Sequence, residues 1–276
     1  MIPRIQSPAL PIDGTTGHPA LTVRDLRRSF GGLRAVDEAT FEVPAGIVCA
    51  LIGPNGAGKS AAVNLLSGAL RPDSGTVRLH GEPITGHSSD KIARRGMIRT
   101  FQLSRELGGL TVTEDLMVTP LGQAGEKLGN VLFRPRAVLA EERRHLQRAL
   151  SILEDFRLYA VRDNYARELS GGQKRLLELA RAVMARPKLL VLDEPMASIN
   201  PALVDKVGQH IVALRESGVT VLMVEHNLNV VEEICALAVV MAEGKTLAVG
   251  RMSELRENPE VVRAYVGGAL SDSAQS

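Results

Sequence analysis

The sequence has little that would commit it to a charged polymer, a disulfide framework or a lipid bilayer. Lysines and arginines number 33 and acids 31, a formal net charge of +2. Without a basic excess, nothing asks for nucleic acid as a partner. Only two cysteines occur, Cys49 and Cys235, far apart and each in an apolar run. They read as reduced core thiols in a reducing compartment. No apolar run reaches the roughly 18 residues a membrane span needs. The first twenty residues, MIPRIQSPALPIDGTTGHPA, hold four prolines and lack the continuous apolar stretch of a signal peptide. They read as a flexible leader, 1–20. There is no internal repeat and no low-complexity tract. A soluble, intracellular protein is expected, one that meets a membrane only by docking onto another protein there. What the chain does have is core material: 276 residues, 45% of them hydrophobic, suit one large α/β domain or one domain with an insertion.

Between Leu21 and Val43 the stretches LTVRDL and ATFEV flank a Gly-Gly pair and predict two strands around a turn. GIVCALIG is a buried β run ending in glycine, KSAAVNLLSGAL a helix with Gly68 near its end, and GTVRLHGEPI a hairpin-like excursion. From about 88 to 170 the texture shifts to Arg, Leu and Glu. There Leu146, Leu150 and Leu153 recur at helical spacing, which predicts a helical insertion. Its EERR and ARRG clusters read as solvated faces. Beyond it, KLLVLDE and GVTVLMVEH alternate with helical stretches such as PALVDKVGQHIVALRES. That alternation predicts a mainly parallel sheet covered by helices. SELRENPEVVRAYVGG predicts a final pair of helices, and 269–276 a flexible tail.

GPNGAGKS, at 53–60, fits G-x-x-x-x-G-K-[ST], with a strand before it and a helix after it. Gly53, Gly56 and Gly58 let the main chain approach an anion closely. With Pro54, Asn55 and Ala57 between them, they expose N–H groups to phosphate oxygens at a helix N-terminus. Lys59 brings a point charge to the β and γ phosphates, and Ser60 a hydroxyl for Mg²⁺. The weaker reading, an ordinary Gly-rich βα turn, explains neither the spacing nor the Lys-Ser pair. Two further strand ends support a nucleotide site. LLVLDE ends an apolar run on Asp193 and Glu194, and VTVLMVEH places His226 just past another. In open parallel sheets, ligands sit beyond the carboxyl ends of strands. Asp193 is expected to help hold Mg²⁺, Glu194 to orient or deprotonate the attacking water, and His226 to sense or polarise the γ-phosphate.

A second anion-friendly helix start follows, LSGGQKR at 169–175. Ser170 and Gln173 alone form a capping-box pattern. That leaves Gly171 and Gly172 unexplained, since two glycines in a first turn cost about 1 kcal/mol each against Ala. They make sense if an anion must come close to the backbone.

These motifs together resemble the ABC-type ATPases. LSGGQ stands about twenty residues before LLVLDEP, as that family's signature motif does. The P-loop, Gln102 in RTFQ, Asp193-Glu194 and His226 follow in the family's order, and the resemblance covers roughly 21–268. It implies a single α/β nucleotide-binding domain: a P-loop core with a mainly parallel sheet, an antiparallel β portion and the helical insertion. It implies ATP and Mg²⁺ as ligands, and a second ATPase subunit stacked head to tail, so that Ser170, Gly171, Gly172 and Gln173 close over ATP held by the partner's P-loop. Gln102 would touch Mg²⁺ or the attacking water, and Phe30 would stack on adenine; a core strand residue is the rival for Phe30. Within the family, IARRGMIRTFQ, GLTVTEDLMV, INPALVDKV, VEHNLNVV and ENPEVVRAYVGG resemble the ATP-binding subunits of branched-chain amino-acid importers. Urea or amide importers and the lipopolysaccharide export ATPase are close alternatives. A soluble, non-transport ABC ATPase is the alternative from another class. The importer reading implies transmembrane permease subunits, an external solute-binding protein, and a cytoplasmic location on the inner face of the membrane. Departures from the family pattern are Ala61, where a hydroxyl is usual and an α-phosphate hydrogen bond is lost; MASINP, where Gly-Leu usually precedes Asn-Pro; and Ala236-Leu237, where Asp-Arg is common.

Overall fold

The computed structural model describes residues 19–100, 108–120, 122, 133, 135–197 and 199–273, with the side chains of 202 and 267–273 excepted. Two sheets carry the fold. In the first, β1 (Leu21–Phe30), β2 (Leu33–Val43), β4 (Ser74–Leu79) and β5 (Glu82–Pro83) run in the order β2-β1-β4-β5, every pair antiparallel. Gly31 and Gly32 make the predicted turn between β1 and β2.

The second sheet has six strands in the order β10-β9-β3-β8-β7-β6. Its members are β3 (Val48–Ile52), β6 (Met97–Arg99), β7 (Leu189–Asp193), β8 (Thr220–Val224), β9 (Leu237–Ala242) and β10 (Lys245–Gly250). Only the β9–β10 pair is antiparallel. Side chains alternate across a strand, and here both faces are buried. Cys49, Leu51, Leu189, Val191, Leu222 and Val224 pack toward the antiparallel sheet and α1 (Lys59–Leu66). Their neighbours Val48, Ala50, Ile52, Leu190, Leu192, Val221 and Met223 pack toward the helices of the other face. That is why these runs are continuously apolar rather than alternating.

Among the described residues the other α-helices are α2 (Ser89–Arg94), α3 (Val112–Met117), α4 (Pro135–Asp155), α5 (Gly171–Met184), α6 (Pro201–Glu216), α7 (Leu228–Ile234), α8 (Met252–Glu257) and α9 (Pro259–Ser273). Three boundaries and one buried face differ from the sequence reading. The helical insertion does not begin at 88, because β6 lies within the main sheet beside β7; three residues between Gly96 and Thr100, the last of them Arg99, are too short to signal a strand. Leu146 is 40% exposed, and the buried stripe of α4 is Val138, Ala149, Ile152 and Leu153. Ala20, placed in the leader, is fully buried, and its carbonyl accepts from His80 N at 2.8 Å. The expected tail is helical through Ser273, because no proline follows Pro259 to stop α9. Residues 1–18 and 274–276 lie outside the described residues.

Candidate functional site

The glycine-rich loop follows β3, whose five residues are all buried. Gly53 turns at φ 151°, and a Cβ there would lie 2.1 Å from the backbone oxygen of Met241 in β9. Gly58 caps α1 in the left-handed region at φ 93°, where a Cβ would lie 2.3 Å from Ala35 O. The loop is therefore wedged between β2 and the end of β9. Gly244 secures it, donating to Ala57 O at 3.1 Å and accepting from Asp37 N at 2.8 Å. Ala61 is partly buried against the core shared with the antiparallel sheet. Gly53→Ala must displace backbone, whereas Gly56→Ala faces open space and meets only left-handed strain, about 1–2 kcal/mol. Urea denaturation is expected to place Gly53→Ala well below Gly56→Ala in midpoint. Equal midpoints would contradict the wedged loop.

Lys59 Nζ donates to Gly53 O at 2.7 Å and Pro54 O at 2.9 Å, so the ammonium lies over the loop it follows. Burial lowers its pKa, and the nearby Glu194 carboxylate opposes that fall. Ser60 is exposed in the first turn of α1.

The sheet register brings the other strand ends to the same edge. Val224 pairs with Leu51 on one side and Asp193 on the other, so the residues after Ile52, Asp193 and Val224 emerge side by side. Glu194 follows β7 at φ 49°, and its N–H donates to Val224 O at 3.0 Å. Its Oε1 lies 3.5 Å from His226 Nδ1. Asp193 Oδ2 accepts from Arg99 Nη2 at 2.7 Å. Sequence reasoning thus placed Lys59, Ser60, Asp193, Glu194 and His226 at one edge, and the structure brings them together there.

Three supporting residues were not singled out from sequence. Arg99 joins Asp193 to α1, donating through Nη1 to Asn64 Oδ1 at 2.6 Å and Ser67 Oγ at 3.2 Å. Glu225 is 1% exposed. Its Oε1 accepts from Met196 N at 3.0 Å and its Oε2 from His226 N at 3.2 Å, so one buried carboxylate ties the two strand ends together. Both its oxygens are satisfied, which offsets the cost of burying the charge. It also helps hold the Cys235 thiol at a pKa of about 12, mainly a result of burial. Arg175 bonds the carbonyls of Glu194 and Pro195. The available sequence cue was a charged residue against an apolar run (Glu225 after TVLMV, Arg99 after MI). Their partners lie too far along the chain for spacing to name.

At the second cradle, Ser170 caps α5 as expected: its Oγ accepts from Gln173 N at 3.3 Å, and Gln173 Oε1 accepts from Ser170 N at 2.9 Å. The two glycines separate in role. A Cβ on Gly172 would meet Leu203 Cδ2 at 2.7 Å, so helix packing accounts for it, while Gly171 faces open space. Ser170 to Gln173 line a cleft together with Asn200 and His210, and no residue of the Gly53–Ser60 loop lines it. One chain does not unite its two cradles. Phe30 is 45% exposed, which excludes the core reading, and the Arg28 guanidinium sits 5.0 Å from its ring centroid. Gln102 lies outside the described residues.

Hard oxygen donors at the edge, Ser60 Oγ and the Asp193 carboxylate, fit Mg²⁺, which typically takes one or two protein ligands and completes its shell with phosphate oxygens and water.

An open α/β sheet with a Gly-Lys-Ser loop, an acidic strand end and a histidine at one edge defines a P-loop nucleotide-binding protein. The profile of the ABC transporter family matches residues 36–197. The chain is 40% identical over 252 residues to the high-affinity branched-chain amino acid transport ATP-binding protein BraF of Pseudomonas aeruginosa, covering 91% of this chain and 99% of the relative. It is 36% identical to LivG of Escherichia coli, a protein of the same description, with the same coverages. A nucleotide-free ATP-binding cassette from an ABC transporter superposes with a TM-score of 0.78 at 34% identity, covering 90% of this chain and 98% of that one. The ADP conformation of another such cassette gives 0.78 at 32% identity, covering 91% and 99%. The chain belongs to the ABC transporter ATP-binding family, and it is the ATP-hydrolysing subunit of such a transporter. Among the described residues no helix is long and apolar enough to cross a membrane.

Proposed function

We propose that this chain powers import of branched-chain amino acids, docked on permease subunits at the inner face of the membrane and fed by an external solute-binding protein. The relatives' descriptions and the near-complete mutual coverage support this solute class. The observation that carries the mechanism is the separation of the cradles: the cleft at Ser170 contains no P-loop residue. The nucleotide is then gripped by the Lys59 loop of one subunit and the Ser170 turn of another, and Gly171 supplies the open backbone for close approach.

Within one subunit, the loop from Gly53 to Ser60 binds the phosphates through backbone N–H groups and Lys59. Mg²⁺, when bound, neutralises phosphate charge; Ser60 and Asp193 would hold it, with Gln102 joining them. Glu194 accepts the proton of the attacking water. His226, 3.5 Å away, keeps the Glu194 side chain on the γ-phosphate side. Phe30 offers an exposed ring to adenine. Closure on ATP and opening after hydrolysis convert the chemistry into permease movement.

The test is purification from membranes with the natural permease, identification of the chains that come with it, and reconstitution in vesicles. ATP-dependent uptake of leucine, isoleucine or valine, with hydrolysis stimulated by the loaded binding protein, is expected. Uptake of urea or a short amide in place of these would overturn the solute class.

A further inference from the structure

The helix that begins at the signature turn also grips the residue after β7. Three charges recur along α5 at i, i+3 and i+6: Arg175, Glu178 and Arg181. Arg181 Nε lies 3.4 Å from Asp115 Oδ1 of α3, and the Asp115 carboxylate is 3% exposed. Arg175 Nη1 donates to Glu178 Oε2 at 2.7 Å, and the two side chains are 13% and 14% exposed. The rest of the Arg175 fork turns to backbone: Nε donates to Pro195 O at 2.9 Å and Nη2 to Glu194 O. A guanidinium presents its donors in one fixed plane, so two successive carbonyls are held in one orientation. That orientation needs holding. Glu194 is a non-glycine residue at φ 49°, a conformation disfavoured by its own Cβ, and Pro195 disfavours the right-handed helical alternative.

We propose that Arg175 is the positioning residue for Glu194. It clamps the main chain on both sides of the Glu194–Pro195 peptide and so aims the Glu194 carboxylate at the attacking water. Glu178 orients the guanidinium, and the Arg181–Asp115 contact anchors the stripe to the helical insertion. Arg175 also lines the cleft at Ser170, and the positioning role assigned to it runs through the Glu194 and Pro195 carbonyls. The assignment rests on Glu194 as the base proposed above.

The test compares Arg175→Ala, Arg175→Lys and Glu194→Gln in the assembled transporter. Arg175→Ala is expected to lower kcat about 10²-fold, the scale of a misplaced catalytic group, with KM for ATP unchanged. Arg175→Lys keeps one charged donor but loses the fork, and is expected to turn over about 10-fold more slowly than wild type and faster than Arg175→Ala. If Arg175 acts through Glu194, adding Arg175→Ala to Glu194→Gln costs nothing further. Should Arg175→Ala fail to fold, Arg175→Lys carries the test: kcat lowered at constant KM supports the clamp, and wild-type kcat overturns it. A kcat within twofold of wild type for folded Arg175→Ala, or equal losses in the wild-type and Glu194→Gln backgrounds, overturns it too. Full turnover by Glu194→Gln alone would instead remove the base assignment, so the two failures are distinguishable.

Discussion

Glu194→Gln lowers steady-state ATP hydrolysis by about 10²–10⁴-fold, the range that a positioned general base contributes, while leaving ATP affinity within a few-fold of wild type. The substitution keeps the shape of the side chain and removes its negative charge together with its capacity to take a proton. The phosphate-binding loop is untouched: its Lys59 bonds go to Gly53 O and Pro54 O, not to Glu194. ATP that binds but is not split should hold the closed pair together, visible as a Mg²⁺- and ATP-dependent dimer by size-exclusion chromatography with light scattering. Turnover at the wild-type rate would remove Glu194 from the mechanism.

The second large effect separates two substitutions that abolish hydrolysis for different reasons. Lys59→Ala removes the ammonium from the P-loop, and nucleotide binding by the isolated chain is expected to fall at least 10-fold along with turnover; charge-assisted hydrogen bonds of this kind contribute about 1.5–3 kcal/mol. Ser170→Arg loses the cap of α5 and fills the open space over Gly171 with a long side chain. Because the Ser170 cleft shares no residue with the P-loop, the isolated Ser170→Arg chain should bind ATP within about twofold of wild type. Its turnover in the assembled transporter should nevertheless fall at least 10²-fold, since a donor aimed at developing phosphate charge is lost. Fluorescent-nucleotide titration of each monomer, set beside ATPase rates of each complex, makes the comparison. Weakened monomer binding in Ser170→Arg would place both cradles on one nucleotide and end the two-subunit reading.

The parts of this site legible in the sequence are those with a local signature. GPNGAGKS names itself, because glycines at fixed offsets before Lys-Ser have one chemical use between a strand and a helix. LLVLDE and VTVLMVEH are legible because charge arriving at the end of a buried run marks a strand's carboxyl end. Arg99, Arg175 and Glu225 stayed hidden for the opposite reason. Their partners lie 94, 19 and 29 residues away, and they meet through the sheet order β8-β7-β6 and, for Arg175, through packing of α5 in the core shared with β7. The capping box at Ser170 was readable from spacing, yet the reason for Gly172 was not, since Leu203 reaches it from another helix. The short strand β6 escaped because three residues carry no period. Its absence from the reading moved the start of the helical insertion too early.

The central strands β3, β7 and β8 send alternate side chains into two separate cores. A slab gripped from above and below has no loose direction. Fraying at the catalytic edge would have to strip apolar groups from both sides at once, at about 1.5–3 kcal/mol for each large one. Lys59, Asp193 and His226 therefore sit at the edge of strands covered on both faces. Whatever swings during a transport cycle must pivot around that anvil, and the hinges should be sought where the chain leaves it.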